Sequence, residues 1–299
     1  MADLARYLDL VDEPEAFLAC ASRPLPRAIW VNTLLTSVAA MQSIIHRRAP
    51  NAERLPGLTG AWRLPAEAKP GKWPEFHLGL LHAQEEVALW PVHVLDPQPG
   101  ERVLDLCAAP GNKAVRIAVA MGDHGQVWAN DSHSRRVDAV SQLAVRLGLT
   151  SLVVTVADGA TLADNERFDR VLVDAPCSCE GTTRKRLRRR DGERPDDWHG
   201  MAAQQSALLQ RAVDLTRPGG VIVYSTCTYA PEENEGVLDR LNAEQVRIEP
   251  THAAIAARAE PGIQQWRGRR FRADVVNSAR FWPHHNDTGG FFVARLHRL

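Results

Sequence analysis

Between Arg102 and Ser225, short β-type apolar runs alternate with longer stretches whose apolar residues recur at helical spacing, and few architectures accept that alternation. Arg102–Leu106, Gln126–Asn130, Leu152–Val156, Phe168–Val173 and Val221–Ser225 read as strands. Lys113–Met121, Ser134–Leu147 (with Ser134 as candidate cap) and Gln204–Leu215 read as the helices between them. Strands joined through helices run parallel, and the helices cover both faces of their sheet. The expected fold class is therefore α/β, with a mostly parallel sheet. Pro231–Leu241 reads as a further helix with Pro231 at its start, and Phe291–Leu296 as a closing strand.

The first part of the chain has a different texture. Residues 3–21 carry a weak helical pattern, Ile29–Leu35 a short strand, and Ser37–Arg48 a helix with Ser37 placed to cap it. Prolines at 50, 56, 65, 70 and 74 then interrupt the chain repeatedly. We expect a small α+β appendage over residues 1–80, ending within the window 75–90, and a catalytic domain over 81–299.

Composition narrows the function classes. A hydrophobic content of 44% and a charged content of 24% are ordinary for a globular protein, and no apolar run is long enough for a membrane span. The N-terminus shows no basic segment followed by an apolar stretch, as a secretory signal would. Five cysteines, an odd number with three or more in loop motifs, favour reduced thiols and a cytoplasmic setting over a disulfide framework. A zero net charge argues against a generic polyanion binder. Yet Arg184, Lys185, Arg186, Arg188, Arg189 and Arg190 form one basic cluster, and Arg267, Arg269 and Arg270 another with Trp266 and Phe271 interleaved. Either is a candidate phosphate-contacting strip, with Trp266 and Phe271 as candidate stacking rings.

Three strand ends carry the chemistry. The first strand breaks into Cys107-Ala108-Ala109-Pro110-Gly111-Asn112-Lys113, a tight turn before a helix. Its single glycine does not make the dinucleotide fingerprint, but its small residues allow close approach of a compact ligand, and Lys113 can meet a carboxylate. Asp131 ends the second strand, where a carboxylate accepts from a ribose diol, and Asp158 follows the third, placed for an adenine amino group. Asp174 ends the fourth. Three acidic strand ends behind one glycine turn suit an adenosine ligand carrying an amino acid: S-adenosylmethionine. Asp174-Ala175-Pro176-Cys177-Ser178-Cys179 and Tyr224-Ser225-Thr226-Cys227-Thr228 add thiols at two strand ends. Their residue types alone leave open which thiol attacks.

Asp105–Lys113, Asp174–Arg184 and Tyr224–Glu235 together resemble the motifs of the Nol/Nop/Sun family of RNA cytosine-carbon-5 methyltransferases. Weaker agreement lies at Val31–Leu34, at Gly79–Pro91 with Gln84, and at Gly290–Leu296, so the resemblance runs from about residue 27 to the end. It implies a Rossmann-like, seven-stranded methyltransferase fold, S-adenosylmethionine as cofactor, and a cytosine in ribosomal or transfer RNA as substrate. It also implies Cys227 as nucleophile, Cys177 as the thiol that promotes product release, and Asp174 as hydrogen-bond partner of the cytosine, with Lys113 reaching the base. The cofactor set would be Cys107, Ala108, Ala109, Pro110, Gly111, Asn112, Lys113, Asp131, Asp158 and Asp174. A lowered nucleophile pKa, a monomer, no membrane and no resident metal are the accompanying expectations.

Two positions depart from the family pattern: Asn112 stands where a second glycine is usual, and Cys179 where a glycine follows Pro-Cys-Ser. Asn tolerates left-handed angles, so we expect the turn to be kept. An amino-group methyltransferase would need an Asn/Asp-Pro-Pro-aromatic segment, which is missing. A zinc module on Cys107, Cys177, Cys179 and Cys227 lacks the usual C-x₂₋₄-C pairs. An inactive RNA-binding or assembly factor on the same fold is the remaining alternative, disfavoured because both cysteines and all three aspartates are present.

Overall fold

The computed structural model describes residues 4–163, 167–185 and 197–299. A short 3-10 turn at Leu4–Leu10 leads into α1 (Pro14–Ala21). Then come β1 (Arg27–Val31), α2 (Val38–Arg48), β2 (Glu53–Arg54), β3 (Ala61–Leu64), α3 (Pro74–His77) and β4 (Leu81–Ala83). As expected, Ser37 caps α2, its hydroxyl accepting from Ala40 N at 3.1 Å. The four strands form an antiparallel sheet in the order β2-β3-β1-β4 over a small core that includes Ile29, Met41, Ile45, Trp62 and Leu81. Leu4–Ala21 does not belong to that core. Tyr7, Val11 and Phe17 pack instead on Tyr229, Ala230 and Trp282, near the far end of the chain.

The large sheet follows α4 (Trp90–Leu95). It contains β5 (Arg102–Asp105), β6 (Gln126–Asp131), β7 (Leu152–Val156), β8 (Phe168–Asp174) and β9 (Thr216–Thr226), separated by α5 (Asn112–Ala120), α6 (Ser134–Leu147) and α7 (Trp198–Leu215). The chain then adds α8 (Glu235–Leu238), β10 (Val246–Glu249), α9 (Ala253–Ala256), β11 (Glu260–Pro261), β12 (Gln265–Trp266), β13 (Arg269–Arg270), β14 (Ala279–Phe281), α10 (Pro283–Asn286) and β15 (Phe291–Arg298). The order is β11-β14-β15-β9-β8-β5-β6-β7, with β10 also on β15. The sheet thus has nine strands among the described residues, not the expected seven. The run β7-β6-β5-β8-β9 is parallel, and every pairing beyond β9 is antiparallel.

Both faces of the parallel strands are buried, which explains their continuous apolar runs. Val103, Leu172, Val223 and Val293 face one core; Leu104, Val171, Ile222 and Phe292 face the other. Strand order reverses at β5, whose neighbours are β6 and β8, so the crevice beyond the carboxyl ends of β5 and β8 is where such a sheet binds ligands.

Local differences from the sequence reading have physical causes. Ser134 is the first residue of α6 rather than its cap; Asp131 Oδ1 accepts from His133 N just before it. Helix α7 begins at Trp198, earlier than expected, because Asp197 caps it by accepting from Gly200 N at 2.7 Å. The helix expected over Pro231–Leu241 shrinks to α8, since Pro231–Asn234 is spent on turns that end with buried Glu233 and Asn234.

Candidate active site

The turn after β5 is held by its own backbone. Ala108 N donates to Asn130 O at 2.7 Å, Gly111 N to Ala108 O at 2.7 Å, and Ala109 N to Asp131 Oδ2 at 3.3 Å. Gly111 has φ of +107°, in the left-handed region, and a Cβ there would sit 3.0 Å from Val140 Cα. Asn112 needs no left-handed tolerance: it opens α5, and its Oδ1 accepts from His82 Nε2 at 2.9 Å. Arg146 donates to the other ring nitrogen of His82, at 2.6 Å, so β4 is tied to the turn after β5 through a neutral imidazole. Burial, with Arg146 adding to it, drives His82 down to about 4.

Four carboxylates gather at this sheet edge. Asp131 is buried and lies 3.4 Å from the Arg136 guanidinium; Asp158 is exposed and accepts from Ala160 N. Asp174 Oδ2 takes the ammonium of Lys113 at 2.6 Å, and its Oδ1 accepts from Ser225 Oγ at 2.8 Å. Asp105, to which sequence reasoning gave no role, is 1% exposed, and its carboxylate has no side-chain hydrogen-bond partner, only the Cys107 backbone beside it. Burial first, then the charge of Asp174, pushes it up to about 7.

The two thiol loops meet because β8 and β9 are adjacent and parallel, with Asp174 opposite Ser225. Cys177 Sγ and Cys227 Sγ lie 3.4 Å apart. Side chains and backbone brace the loops: Ser178 Oγ and Thr228 Oγ1 are 2.7 Å apart, Ser178 N donates to Glu233 Oε2 at 3.0 Å, and Gln205 Nε2 to the same oxygen at 2.7 Å. Glu180, also buried, accepts from Thr228 Oγ1 at 3.0 Å and from Tyr7. Gly181 N donates to Cys227 O at 2.9 Å, and Gly290 N to Gly181 O at 2.9 Å. Glu180 and Glu233 lay inside the motif segments, but nothing in local sequence says that such a carboxylate is buried.

The expected lowering of the nucleophile pKa is not found. A hydrogen bond with Cys177 lowers the Cys227 thiol, but the neighbouring Cys179 and burial outweigh it and carry the thiol above its ordinary range. Cys177 is likewise raised, by hydrogen bonds to Cys179 and Cys227 and by burial.

The basic clusters divide. Arg184 is corrected: it is 3% exposed, and its guanidinium donates to Arg23 O, Pro24 O, Thr288 O and Asp287 Oδ1, so its charge is spent inside the protein rather than offered to RNA. Burial opposes the charge on Lys185, but its pairing with Glu85 outweighs that and raises it, with the Asp174 charge contributing. Arg186, Arg188, Arg189 and Arg190 lie outside the described residues. Arg267, Arg269 and Arg270 are exposed on the β12–β13 hairpin, whose turn residues Arg267 and Gly268 both have positive φ. Arg269 pairs with Asp239 at 2.7 Å. The expected stacking rings are engaged elsewhere: Trp266 donates to Glu232 and stacks on Tyr7, and Phe271 packs against the core.

Residues 92–297 match the family described as 16S rRNA methyltransferase RsmB/F. The chain is 34% identical to the tRNA (cytosine(49)-C(5))-methyltransferase of Pyrococcus abyssi, covering 98% of this chain and 94% of that protein. It is 36% identical to ribosomal RNA small subunit methyltransferase F of Klebsiella pneumoniae, covering 94% of this chain but 59% of that one. The human 28S rRNA (cytosine(4447)-C(5))-methyltransferase is 32% identical, over 99% of this chain and 37% of its own length. A solved methyltransferase homolog from Pyrococcus horikoshii superposes with a TM-score of 0.87 at 30% identity, covering 99% of this chain and 94% of that one. Matched over most of its length by the family, and nearly end to end by an archaeal relative, the chain belongs to the RsmB/F-type RNA cytosine-C5 methyltransferases.

Proposed function

We propose that this protein methylates carbon 5 of an unpaired or extruded cytosine in structured RNA, ribosomal or transfer, with Cys227 as nucleophile and Cys177 as the thiol that assists release. The observation that carries the reading is the 3.4 Å approach of these two sulfurs at adjacent strand ends, beside the Lys113–Asp174 pair.

Members of the family use S-adenosylmethionine, which supplies an electrophilic methyl group. The residues present suit it. The turn 107–113 offers small side chains and backbone, Asp131 and Asp158 sit at the next two strand ends, and the carboxyl of Asp105, which has no side-chain partner, is a fitting neighbour for an amino acid's ammonium group.

Carbon 5 of cytosine is a poor nucleophile. Loss of the Cys227 proton and addition of its sulfur to carbon 6 push the ring π pair onto carbon 5, which can then take the methyl group. Asp174, held by Lys113 and Ser225, is placed to hydrogen-bond the cytosine and favour protonation at its ring nitrogen as the sulfur adds, so that the ring gains no net negative charge. Removal of the carbon-5 proton returns that pair to the ring and expels the Cys227 sulfur. Because Cys179 and burial keep Cys227 a thiol in the free protein, its activation belongs to the RNA-bound state. Extrusion of the base costs roughly a few kcal/mol, to be met by phosphate contacts from the exposed arginines and the appendage.

The test uses both cysteine variants on ribosomal and transfer RNA. Cys227→Ala should abolish methylation, and Cys177→Ala should accumulate a covalent protein–RNA adduct on denaturing gels. An adduct from Cys227→Ala and none from Cys177→Ala would exchange the two roles. Activity retained in both variants would remove the thiol mechanism.

A further inference from the structure

Cys179 has no part in the chemistry above, yet its sulfur joins the other two. Cys177 and Cys179 Sγ are 3.9 Å apart, Cys177 and Cys227 Sγ 3.4 Å, and all three sulfurs lie within 4.8 Å of one another. Zinc binds thiolate at about 2.3 Å, so two sulfurs of a tetrahedral zinc site stand about 3.8 Å apart. The three thiols therefore already occupy, within a few tenths of an ångström for the two closest pairs, three corners of such a tetrahedron. The linear spacing that argued against a zinc module misses this, because Cys227 reaches the other two across the β8–β9 junction.

We propose that Cys177, Cys179 and Cys227 form a zinc-binding site whose occupation withdraws the active-site thiols from methyl transfer. The fourth position is left to water, as in open three-ligand zinc sites. Binding converts three thiols to thiolates and releases up to three protons, leaving a net charge of minus one on the centre. Two ammonium groups, Lys113 and Lys185, stand in the same site, each on a carboxylate partner. Cys107 is not among the three sulfurs. The inhibition rests on the roles proposed above for Cys227 and Cys177; the binding does not.

Cys179 makes the test clean. Its φ is +57°, which glycine adopts at no cost, so Cys179→Gly removes one ligand without straining the loop. A second potential metal cluster, Asp12 with His284 and His285, offers only oxygen and nitrogen. The probe is Co²⁺ titrated into the reduced full-length protein, followed by zinc displacement. We expect one Co²⁺ per chain with intense sulfur-to-cobalt charge-transfer absorption, abolished by zinc. In Cys179→Gly the affinity should fall about tenfold or more, and the band should weaken. Metal-free Cys179→Gly should still methylate RNA. Zinc should inhibit the parent, a chelator should restore it, and the variant should need about ten times more zinc. Absence of the sulfur band, or the same band and affinity in Cys179→Gly, would overturn the site. A full sulfur band with undiminished methylation at saturating zinc would keep the site and overturn its inhibitory role, which points back to the cysteine assignments.

Discussion

Replacing Asp105 by Asn should stabilise the free protein above neutral pH, and the size of the effect follows from burial. The carboxyl is fully enclosed at the foot of the cofactor turn, and its pKa rises from 3.8 to about 7. At about 1.4 kcal/mol per pH unit, that displacement corresponds to an upper bound of about 4 kcal/mol. The sign is fixed by linkage. The native state binds this proton more tightly than the unfolded chain, so the favourable contribution is complete below pH 3.8 and is lost as pH rises toward 7. The substituted amide cannot ionise and keeps a neutral side chain throughout. Urea unfolding of parent and variant from pH 4 to pH 8 should show a stability difference that grows in the variant's favour up to about pH 7 and then levels. The same variant should bind S-adenosylmethionine more weakly in calorimetry, because it removes the charge proposed to face the ligand's ammonium. A stability difference that stays flat across that range would mean that Asp105 is not the ionising group that burial implies.

Other consequences are as specific. Neutralising Arg267, Arg269 and Arg270 should flatten the salt dependence of RNA binding, as should neutralising Arg186, Arg188 and Arg189, measured as the slope of log affinity against log salt. Arg184→Ala should leave that slope alone and lower thermal stability, since it empties a buried site with four acceptors. Arg280→Met should cost about 3–5 kcal/mol in denaturant unfolding, because buried Glu235 loses its ion pair, and adding Glu235→Gln should recover part of the loss.

Much of the site was legible because chemistry and topology coincide at strand ends. Asp131, Asp174 and the 107–113 turn follow apolar runs whose boundaries the sequence marks with charge and glycine, and the parallel order brings them to one edge. The strands after β9 were not legible. Val246–Glu249, Glu260–Pro261 and Ala279–Phe281 are two to four residues long, and their partners are distant in sequence. Arg184 misled for a related reason: within a basic run nothing marks the one guanidinium that folding surrounds with carbonyls. Asp105 and Glu180 were passed over because the burial of a carboxylate is a property of tertiary packing, invisible in its neighbours.

The file of amides from Gly290 through Gly181 to the carbonyl of Cys227 links three segments far apart in the chain. A side-chain carbon on Gly181 would meet Gly290 O at 2.2 Å and Cys227 O at 2.9 Å, so the file tolerates no bulk. The two thiol loops are thus joined both through main chain at Gly181 and through side chains where Ser178 meets Glu233 and Thr228. A bulkier residue at Gly181 would therefore displace both thiol loops together rather than one against the other.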